Sequence, residues 1–231
     1  MLEENINNGI LYLVGTPIGN LEDITLRALK VLKSVSLIAC EDTRETLKLL
    51  NHYDIRVSLT SYNEYNKIKS TQYLINILKA GKSVGLVCDR GMPGISDAGV
   101  YLVKKAIENG IMVVPVPGPT ALITALVVSG LRTDRFIFEG FLPRRPGKLR
   151  KFLKNLGDEE RVLVFYESPH RLLRTLNEMF SVWGDRNIVI CRELTKKFEE
   201  VIRCSLSQAI ERFGNIKPLG EFTLVIEGKK D

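Results

Sequence analysis

The sequence has 231 residues, of which 45% are hydrophobic and 26% are charged. This composition excludes a disordered chain and allows one large domain or two modest ones. The net charge of +6 permits an anionic partner. The excess is uneven, with +1 over residues 1–117 and +5 over residues 118–231. We therefore expect any nucleic acid to bind the second half.

Local composition argues against secretion, a membrane span and a metal site. The first ten residues, MLEENINNGI, lack the basic and apolar regions of a signal peptide. The longest apolar stretch, residues 121–128, is too short to span a bilayer. The four cysteines form no C-x-x-C pair and are accompanied by only two histidines, so we expect buried free thiols and no metal. A cytoplasmic protein fits this pattern.

In the first half, short β-rich runs alternate with segments of helical period. Strands are predicted at residues 10–15, 35–40, 56–60, 83–88 and 112–115. Helices are predicted at residues 24–32, 43–51, 67–80 and 99–109. Gly81 and Gly110 follow two of these helices, where C-terminal glycines are common. The alternation predicts a three-layer α/β domain with a mostly parallel sheet.

The segment PVPGP at residues 115–119 is the densest cluster of chain breakers. It is the predicted boundary between an N-terminal domain, residues 1–117, and a C-terminal domain, residues 118–231. Beyond it, helices are predicted at residues 120–129, 148–156, 170–180 and 206–213. Strands are predicted at residues 136–139, 162–166, 188–192, 200–204 and 222–227. Because the late strands are close together in the sequence, we expect a second α/β domain whose sheet is mixed.

Loops that follow strands are the candidate ligand sites, because open α/β sheets bind ligands at the carboxyl ends of their strands. The loop VGTPIGN at residues 14–20 is neither a dinucleotide fingerprint nor a Walker loop, and a plain turn is the alternative. The loop DRGMPGISD at residues 89–97 holds two glycines that let backbone approach a ligand. Asp89 can accept hydrogen bonds from ribose hydroxyls or an ammonium group. For Ser96 and Asp97, the structural alternative is a cap on the next helix.

Three further segments have both a functional and a structural interpretation. Thr120 is either a ligand contact or the N-cap of the following helix. The segment EDTR at residues 41–44 is either catalytic or a helix start capped by Thr43, with its acids at the positive helix end. Residues 143–154 hold six basic side chains and no acid, which suits either phosphate contacts or a solvated helix.

Taken in order, seven segments resemble one family. They are LVGTPIGNLEDIT (13–25), CEDTR (40–44), PGPT (117–120), FEGFLP (138–143), FYESPHR (165–171), RELT (192–195) and GEFTLVIEG (220–228). No single segment suffices, but the ordered set over residues 10–228 resembles the ribosomal RNA small-subunit methyltransferase I family of the tetrapyrrole methylase superfamily.

The resemblance implies two α/β domains of the tetrapyrrole-methylase type with S-adenosylmethionine in the cleft between them, usually in a homodimer. It implies methylation of the ribose 2′-hydroxyl of a decoding-centre cytidine in 16S ribosomal RNA of the small subunit. The matching positions imply cofactor contacts at Ile18, Asp89, Met92, Gly94, Ile95, Ser96, Thr120, Tyr166, Glu167, Arg192 and Glu193. In the second loop, Arg90 and Met92 replace the family's usual alanine and threonine. Many members also continue past the final Glu-Gly with a small helical extension, so we expect RNA binding to rely on the core and a partner protomer.

Methyl transfer from a sulfonium is an in-line displacement, so the main requirement is to position the acceptor oxygen. A ribose hydroxyl also gains from a general base, for which Glu41 and Asp42 are the candidates. Arg44 can bind an adjacent phosphate. Because this group follows a different strand from the cofactor loops, we expect it to lie apart from them and to serve the acceptor.

RNA phosphates are expected to contact the basic tract, which comprises Arg144, Arg145, Lys148, Arg150, Lys151 and Lys154. Two alternatives to RNA methylation stay open at this point. One is methylation of a tetrapyrrole or another small acceptor, and the other is a non-catalytic RNA-binding protein with the same fold.

Overall fold

The computed structural model describes residues 8–230, which divide between Thr120 and Ala121 into two compact units. Residues 1–7 and 231 lie outside the described part. The domain boundary after Pro117 and the cofactor cleft stay predictions. No helix among residues 8–230 is long and apolar enough to cross a membrane.

The first unit is built on five parallel strands. These are β1 (Leu11–Val14), β2 (Leu37–Cys40), β3 (Leu59–Ser61), β4 (Val84–Leu86) and β5 (Val113–Val116). The helices are α1 (Leu26–Ser34), α2 (Thr43–His52), α3 (Lys67–Lys79) and α4 (Val100–Glu108). The strand order is β3-β2-β4-β1-β5, and every pairing between these strands is parallel. This confirms the predicted parallel sheet; only the short 3₁₀ turn Leu21–Asp23 was not expected.

Two apolar cores cover opposite faces of this sheet. Successive strand residues point to opposite faces, so Leu37 and Ala39 pack with α3 and α4, whereas Ile38 and Cys40 pack with α1 and α2. The unit therefore has three layers, with two helices on each face of the sheet. All five strands have their carboxyl ends at one edge, where the candidate loops begin.

The second unit contains a mixed sheet. Its strands are β6 (Phe136–Phe141), β7 (Val162–Glu167), β8 (Asn187–Arg192), β9 (Glu200–Ser205) and β10 (Phe222–Ile226). Its helices are α5 (Ala121–Ser129), α6 (Pro146–Asn155), α7 (Leu172–Trp183) and α8 (Leu206–Gly214). The strand order is β6-β7-β10-β8-β9, in which β6 and β7 are parallel and the other pairs antiparallel. The predicted mixed sheet is confirmed.

Three helices cover one face of the second sheet, and α5 packs on the other. Side chains of α6, α7 and α8 share one core with Phe165, Ile190 and Leu224. The neighbouring strand residues Val164 and Val225 are buried on the opposite face, which α5 contacts. His170, expected inside a helix, instead lies in the turn that precedes α7.

Candidate active site

The carboxyl ends of β2 and β4 meet at the edge of the first sheet because these two strands are neighbours. There, the Asp89 side chain accepts a hydrogen bond from the backbone N–H of Asp42, at 3.0 Å. This bond joins the segment 41–44 directly to the loop 89–97. The expectation that the two lie apart is therefore wrong, and Asp89 has a structural role as well.

Three carboxyl groups of this edge, Glu41, Asp89 and Asp97, form what we call the acidic edge. Burial raises the pKa of Glu41, and the charges of Asp97 and Asp89 raise it further. Burial also raises the pKa of Asp89 and of Asp97. Within residues 8–230 no lysine or arginine forms an ion pair with any of the three. The acidic edge therefore carries negative potential that is suited to a cationic or hydrogen-bond-donating ligand.

Asp42 differs from these three because its carboxylate is already occupied. It caps α2 by accepting from the backbone N–H of Arg44 at 2.8 Å. The Arg44 guanidinium donates to the same carboxylate at 3.0 Å and 2.6 Å. These hydrogen bonds hold the pKa of Asp42 well below its usual range. The helix cap is thus Asp42, so the expectation that Thr43 caps the helix is wrong, and Asp42 is a poor proton acceptor.

The loops after β1, β4 and β5 are locked together through glycine backbone. A Cβ on Gly15 would approach the Cα of Gly118 to 2.7 Å, and a Cβ on Gly118 would approach the Cα of Gly15 to 2.9 Å. Only glycine permits such a crossing at both positions. Thr16 and Gly91 also exchange backbone hydrogen bonds of 2.9 and 3.1 Å. The first loop is therefore a structural element that supports the loop 89–97.

The loop 89–97 has an unusual backbone. Gly91, Gly94 and Ser96 have φ values of +83°, +86° and +64°. Ser96 and Asp97 do not cap α4, whose N-cap is Gly99 without a side-chain hydrogen bond, so that structural alternative is wrong. A non-glycine residue at positive φ is a conformation that occurs preferentially at functional sites.

The other matched side chains of the first unit surround this loop. Ile18 is buried beside Gly91, and Met92 is half-buried with its sulfur beside Gly15. Ile95 is exposed and Thr120 half-buried at the end of the unit. In this part of the chain, the structure places these residues on the loops that leave one edge of the sheet.

The four matched side chains of the second unit are engaged within that unit. The Tyr166 hydroxyl accepts from the backbone N–H of Leu122 in the first turn of α5, at 3.2 Å. The Arg192 side chain donates to the carbonyl of Leu219 at 2.6 Å. One carboxylate oxygen of Glu193 accepts from the backbone N–H of Glu221 and from the Lys196 ammonium group.

Glu167 is the most deeply buried of these four, with a side chain that is 0% exposed. It accepts from the backbone N–H of Ser168 at 2.7 Å and from the Thr175 hydroxyl at 2.6 Å. Arg171 lies 3.4 Å away. Its guanidinium also donates to the carbonyl of Leu142 at 2.8 Å. Glu167 is thus built into the protein interior, and its geometry supports a positioning role rather than the predicted direct contact.

The basic tract spans the loop before α6 and the helix itself. Its six basic side chains are all exposed. Arg150 donates to the Ser181 hydroxyl at 3.0 Å and lies 4.0 Å from Glu178. The other five form no ion pair among the described residues. The sequence did not indicate Arg174, which lies on α7 and donates to the carbonyl of Arg144 at 3.0 Å. It adds an exposed cation to the start of the tract.

No group of three or more metal-ligating side chains occurs within residues 8–230. All four cysteines are free thiols, and Cys40, Cys88 and Cys191 are buried, as expected from their apolar surroundings. Two features escaped the sequence interpretation. Asp97 was considered only as a cap, and Arg171 was noticed only as part of the segment FYESPHR.

Comparison with known proteins defines the class of fold to which this chain belongs. The family of tetrapyrrole (corrin/porphyrin) methylases matches residues 10–210. Among solved structures, cobalt precorrin-4 methyltransferase matches with a TM-score of 0.70 and 18% identity, over 94% of each chain. Uroporphyrin-III C-methyltransferase from Thermus thermophilus, solved in complex with S-adenosyl homocysteine, gives a TM-score of 0.65 and 21% identity, over 94% of this chain and 97% of that one. The fold is that of a tetrapyrrole methylase, as the sequence predicted.

Closer relatives define the particular family. A protein of Thermotoga maritima named ribosomal RNA small subunit methyltransferase I is 52% identical over 96% of this chain and 100% of that protein. The protein of the same name from Halalkalibacterium halodurans is 49% identical over 98% of this chain and 78% of that protein. The chain belongs to the ribosomal RNA small subunit methyltransferase I family. The predicted enzyme class, a methyltransferase dependent on S-adenosylmethionine, is thereby confirmed, and the alternative of a non-catalytic protein is dropped.

Proposed function

We propose that this enzyme methylates the ribose 2′-hydroxyl of a cytidine in 16S ribosomal RNA of the small subunit. The names of relatives that are 49–52% identical support RNA as the class of acceptor. The structural observation that carries the proposal is a contrast of charge between two loop systems. Among the described residues, the acidic edge has no ion-paired cation, whereas the basic tract has five exposed cations without an ion-paired acid. The first suits a cationic methyl donor, and the second suits a polyanionic acceptor.

The acidic edge and its glycine loop fit S-adenosylmethionine chemically. Asp89 and Asp97 provide carboxylate oxygens for ribose hydroxyls or the ammonium group. A Cβ on Gly94 would meet no atom of the described residues closer than 3.8 Å, so this glycine leaves its side of the loop open for a ligand. The exposed Ile95 and the half-buried Met92 provide apolar surface nearby. When bound, the cofactor supplies an activated methyl group.

The remaining matched residues have roles that follow from their contacts. Ile18 lies against Gly91, while Ser96 and Thr120 offer polar groups on the same set of loops. In the second unit Tyr166, Arg192 and Glu193 are contact candidates whose orientation is fixed by their own hydrogen bonds. Glu167 positions the loop that carries Tyr166.

Glu41 is the proposed proton acceptor for the ribose hydroxyl. The raised pKa of Glu41 is closer to neutral pH than the lowered pKa of Asp42, which makes Glu41 the better base. Asp42 and Arg44 hold each other in a forked ion pair, and Arg44 remains highly exposed. This pair is suited to hold a phosphate that neighbours the target nucleotide, with Asp42 orienting the guanidinium.

The basic tract is the proposed site for the RNA backbone. Phosphate contacts position an RNA without reading its sequence. Arg144, Arg145 and Lys148 lie at the start of α6, and Lys151 and Lys154 follow at helical spacing. The exposed apolar side chains of Ile123 and Val127, one turn apart on α5, support a homodimer as a further proposal. A cytoplasmic location is likewise proposed, since ribosomal RNA is the acceptor.

The direct test is methyl transfer to purified small ribosomal subunits, followed by mass spectrometry of the nucleosides. We expect a 2′-O-methylated cytidine with the wild-type enzyme and not with Glu41→Gln, which keeps the size of the side chain. Cofactor affinity, measured by calorimetry, should be retained in Glu41→Gln and lowered in Gly94→Val. Transfer to a tetrapyrrole but not to ribosomal RNA would overturn the proposal.

A further inference from the structure

The end of β6 contains a bulge that redirects one aromatic side chain. Phe138 pairs with Val164 and Phe141 pairs with Tyr166, so three steps along β6 correspond to two along β7. Gly140, with a φ of +62°, occupies the extra position. In a regular strand, residues three apart face opposite sides; the inserted residue instead brings Phe138 and Phe141 against the same ring. Bulges of this kind often occur beside functional sites.

Phe141 is exposed and yet held in place. Its residue is 58% exposed, and its ring makes an edge contact with Tyr166 at a centroid distance of 5.6 Å. Tyr166 is itself fixed by Phe138, at 4.9 Å, and by its hydrogen bond to Leu122. A large apolar ring that remains open to solvent on such a rigid support is suited to receive another flat ring.

Arg171, at the N-cap of α7, and Arg174, within the helix, fix the chain that follows Phe141. Arg171 donates to the carbonyls of Leu142 at 2.8 Å and Pro143 at 3.3 Å, and Arg174 donates to the carbonyl of Arg144. We call these two side chains the arginine clamp. The loop between Phe141 and α6 is thus held through three of its carbonyls, and it carries the exposed side chains of Arg144 and Arg145 three and four residues after Phe141.

We propose that Phe141 is a stacking platform for an unpaired base of the RNA acceptor, with Arg144 and Arg145 binding the adjacent phosphates. Single-stranded RNA is recognised by aromatic side chains that stack on splayed bases, combined with cations that follow the backbone. This inference rests on the proposed function and names one contact with the RNA, the stacking of a base on the Phe141 ring.

Phe198 provides a matched comparison within the same unit. It is 66% exposed, lies in the loop between β8 and β9, and has the Lys197 ammonium group 5.7 Å from its ring centroid. Two acids, Glu199 and Glu200, follow it directly. Phe198 therefore has the exposure of Phe141 without an acid-free basic loop beside it.

The test measures affinity for a single-stranded pyrimidine oligoribonucleotide that carries one 2-aminopurine, and for the small ribosomal subunit. Both titrations are run without cofactor. Phe141 contacts Tyr166, a candidate cofactor contact, so a change at Phe141 could otherwise alter RNA binding through the cofactor. Stacking is worth about 1–3 kcal/mol per base, so Phe141→Ala should weaken binding about 5- to 150-fold and abolish quenching of the fluorescent base. Phe141→Leu should resemble Phe141→Ala, because it lacks a π face. Phe141→Trp should bind as wild type, and Phe198→Ala should change nothing.

The salt dependence separates stacking from charge. Phe141→Ala should keep the slope of log affinity against log salt, because no phosphate contact is lost. The stacking proposal is overturned if Phe141→Ala and Phe198→Ala behave alike while the wild type binds and methylates RNA. It is also overturned if Phe141→Ala changes the sedimentation of the protein, since a second copy would then cover this ring. If the wild type neither binds nor methylates RNA, the proposed function itself fails.

Discussion

Replacement of Arg171 by methionine should destabilise the second unit strongly and loosen the loop that carries Arg144. The change keeps the length of the aliphatic side chain but removes the guanidinium. It leaves the Glu167 carboxylate, whose side chain is 0% exposed, without its ion-pair partner at 3.4 Å. It also leaves the carbonyls of Leu142 and Pro143 without their donor.

The expected cost can be estimated from these contacts. Removal of one partner from a buried ion pair costs roughly 3–5 kcal/mol. Glu167 keeps two donors, the backbone N–H of Ser168 and the hydroxyl of Thr175, which lowers the penalty of its charge. We therefore expect a loss of about 3 kcal/mol. Arg174→Met is the matched control, since Arg174 also donates to a carbonyl of this loop, but it is exposed and forms no buried pair. It should cost less than about 1 kcal/mol.

Urea unfolding followed by tryptophan fluorescence measures this difference. Trp183, the single tryptophan, ends α7 and donates its indole N–H to the carbonyl of Leu153, so it reports on the second unit. RNA affinity is measured in parallel below the unfolding range. Arg171→Met should weaken RNA binding more than cofactor binding. Equal losses of unfolding free energy in the two variants would refute the assignment of Glu167 and Arg171 as a coupled buried pair.

Three other changes test the remaining arguments. Gly15→Ala should destabilise the first unit by roughly 1–3 kcal/mol in thermal unfolding, because its Cβ would overlap the backbone of Gly118. The control, Gly147→Ala, lies in an open helical position and should stabilise the protein by about 0.5–1 kcal/mol. Asp97→Asn should stabilise the protein at neutral pH, because the raised pKa of Asp97 makes its ionised form unfavourable in the folded state. The gain in unfolding free energy should shrink as the pH falls through the raised pKa, and it should vanish below the usual value of 3.8. Reversal of Arg144 and Arg145 to Glu should flatten the salt slope of RNA binding by at least about 1.4, given 0.7 per contact on single strands; an unchanged slope would show that the two arginines are merely solvated.

Much of the fold was predictable because hydrophobic periodicity and chain breakers are local signals. Every predicted strand and helix is found, with ends displaced by a few residues. For example, α7 begins at Leu172 rather than at residue 170, since the turn formed by Ser168 and Arg171 delays the helix. The bulge in β6 was not predictable. From the sequence, Glu139-Gly140 is typical of an ordinary strand end. Only the pairing of β6 with β7 shows the change of register.

The candidate site was less predictable because it depends on which strands are neighbours. The sequence separates Asp42 from Asp89 by 47 positions, and only the strand order β2-β4 brings them into hydrogen-bond contact. The same order places Asp97 near Glu41, so that a residue interpreted as a helix cap becomes part of the acidic edge. The crossing of Gly15 and Gly118 is also non-local, since it needs β1 and β5 side by side.

Hydrogen-bond and ion-pair partners divide five acids of the candidate site into two groups. Asp42, Glu167 and Glu193 each accept two or more hydrogen bonds from the protein, so their oxygens are committed to holding a helix start or a loop. Glu41 and Asp97 are held by no ion pair in the described chain, and burial raises the pKa of both carboxyl groups, which disfavours their ionised forms. A shift of this kind is expected where a group is retained for ligands or proton transfer rather than for stability. Only the contacts of these side chains in the structure separate the acids that support the fold from the candidates for chemistry.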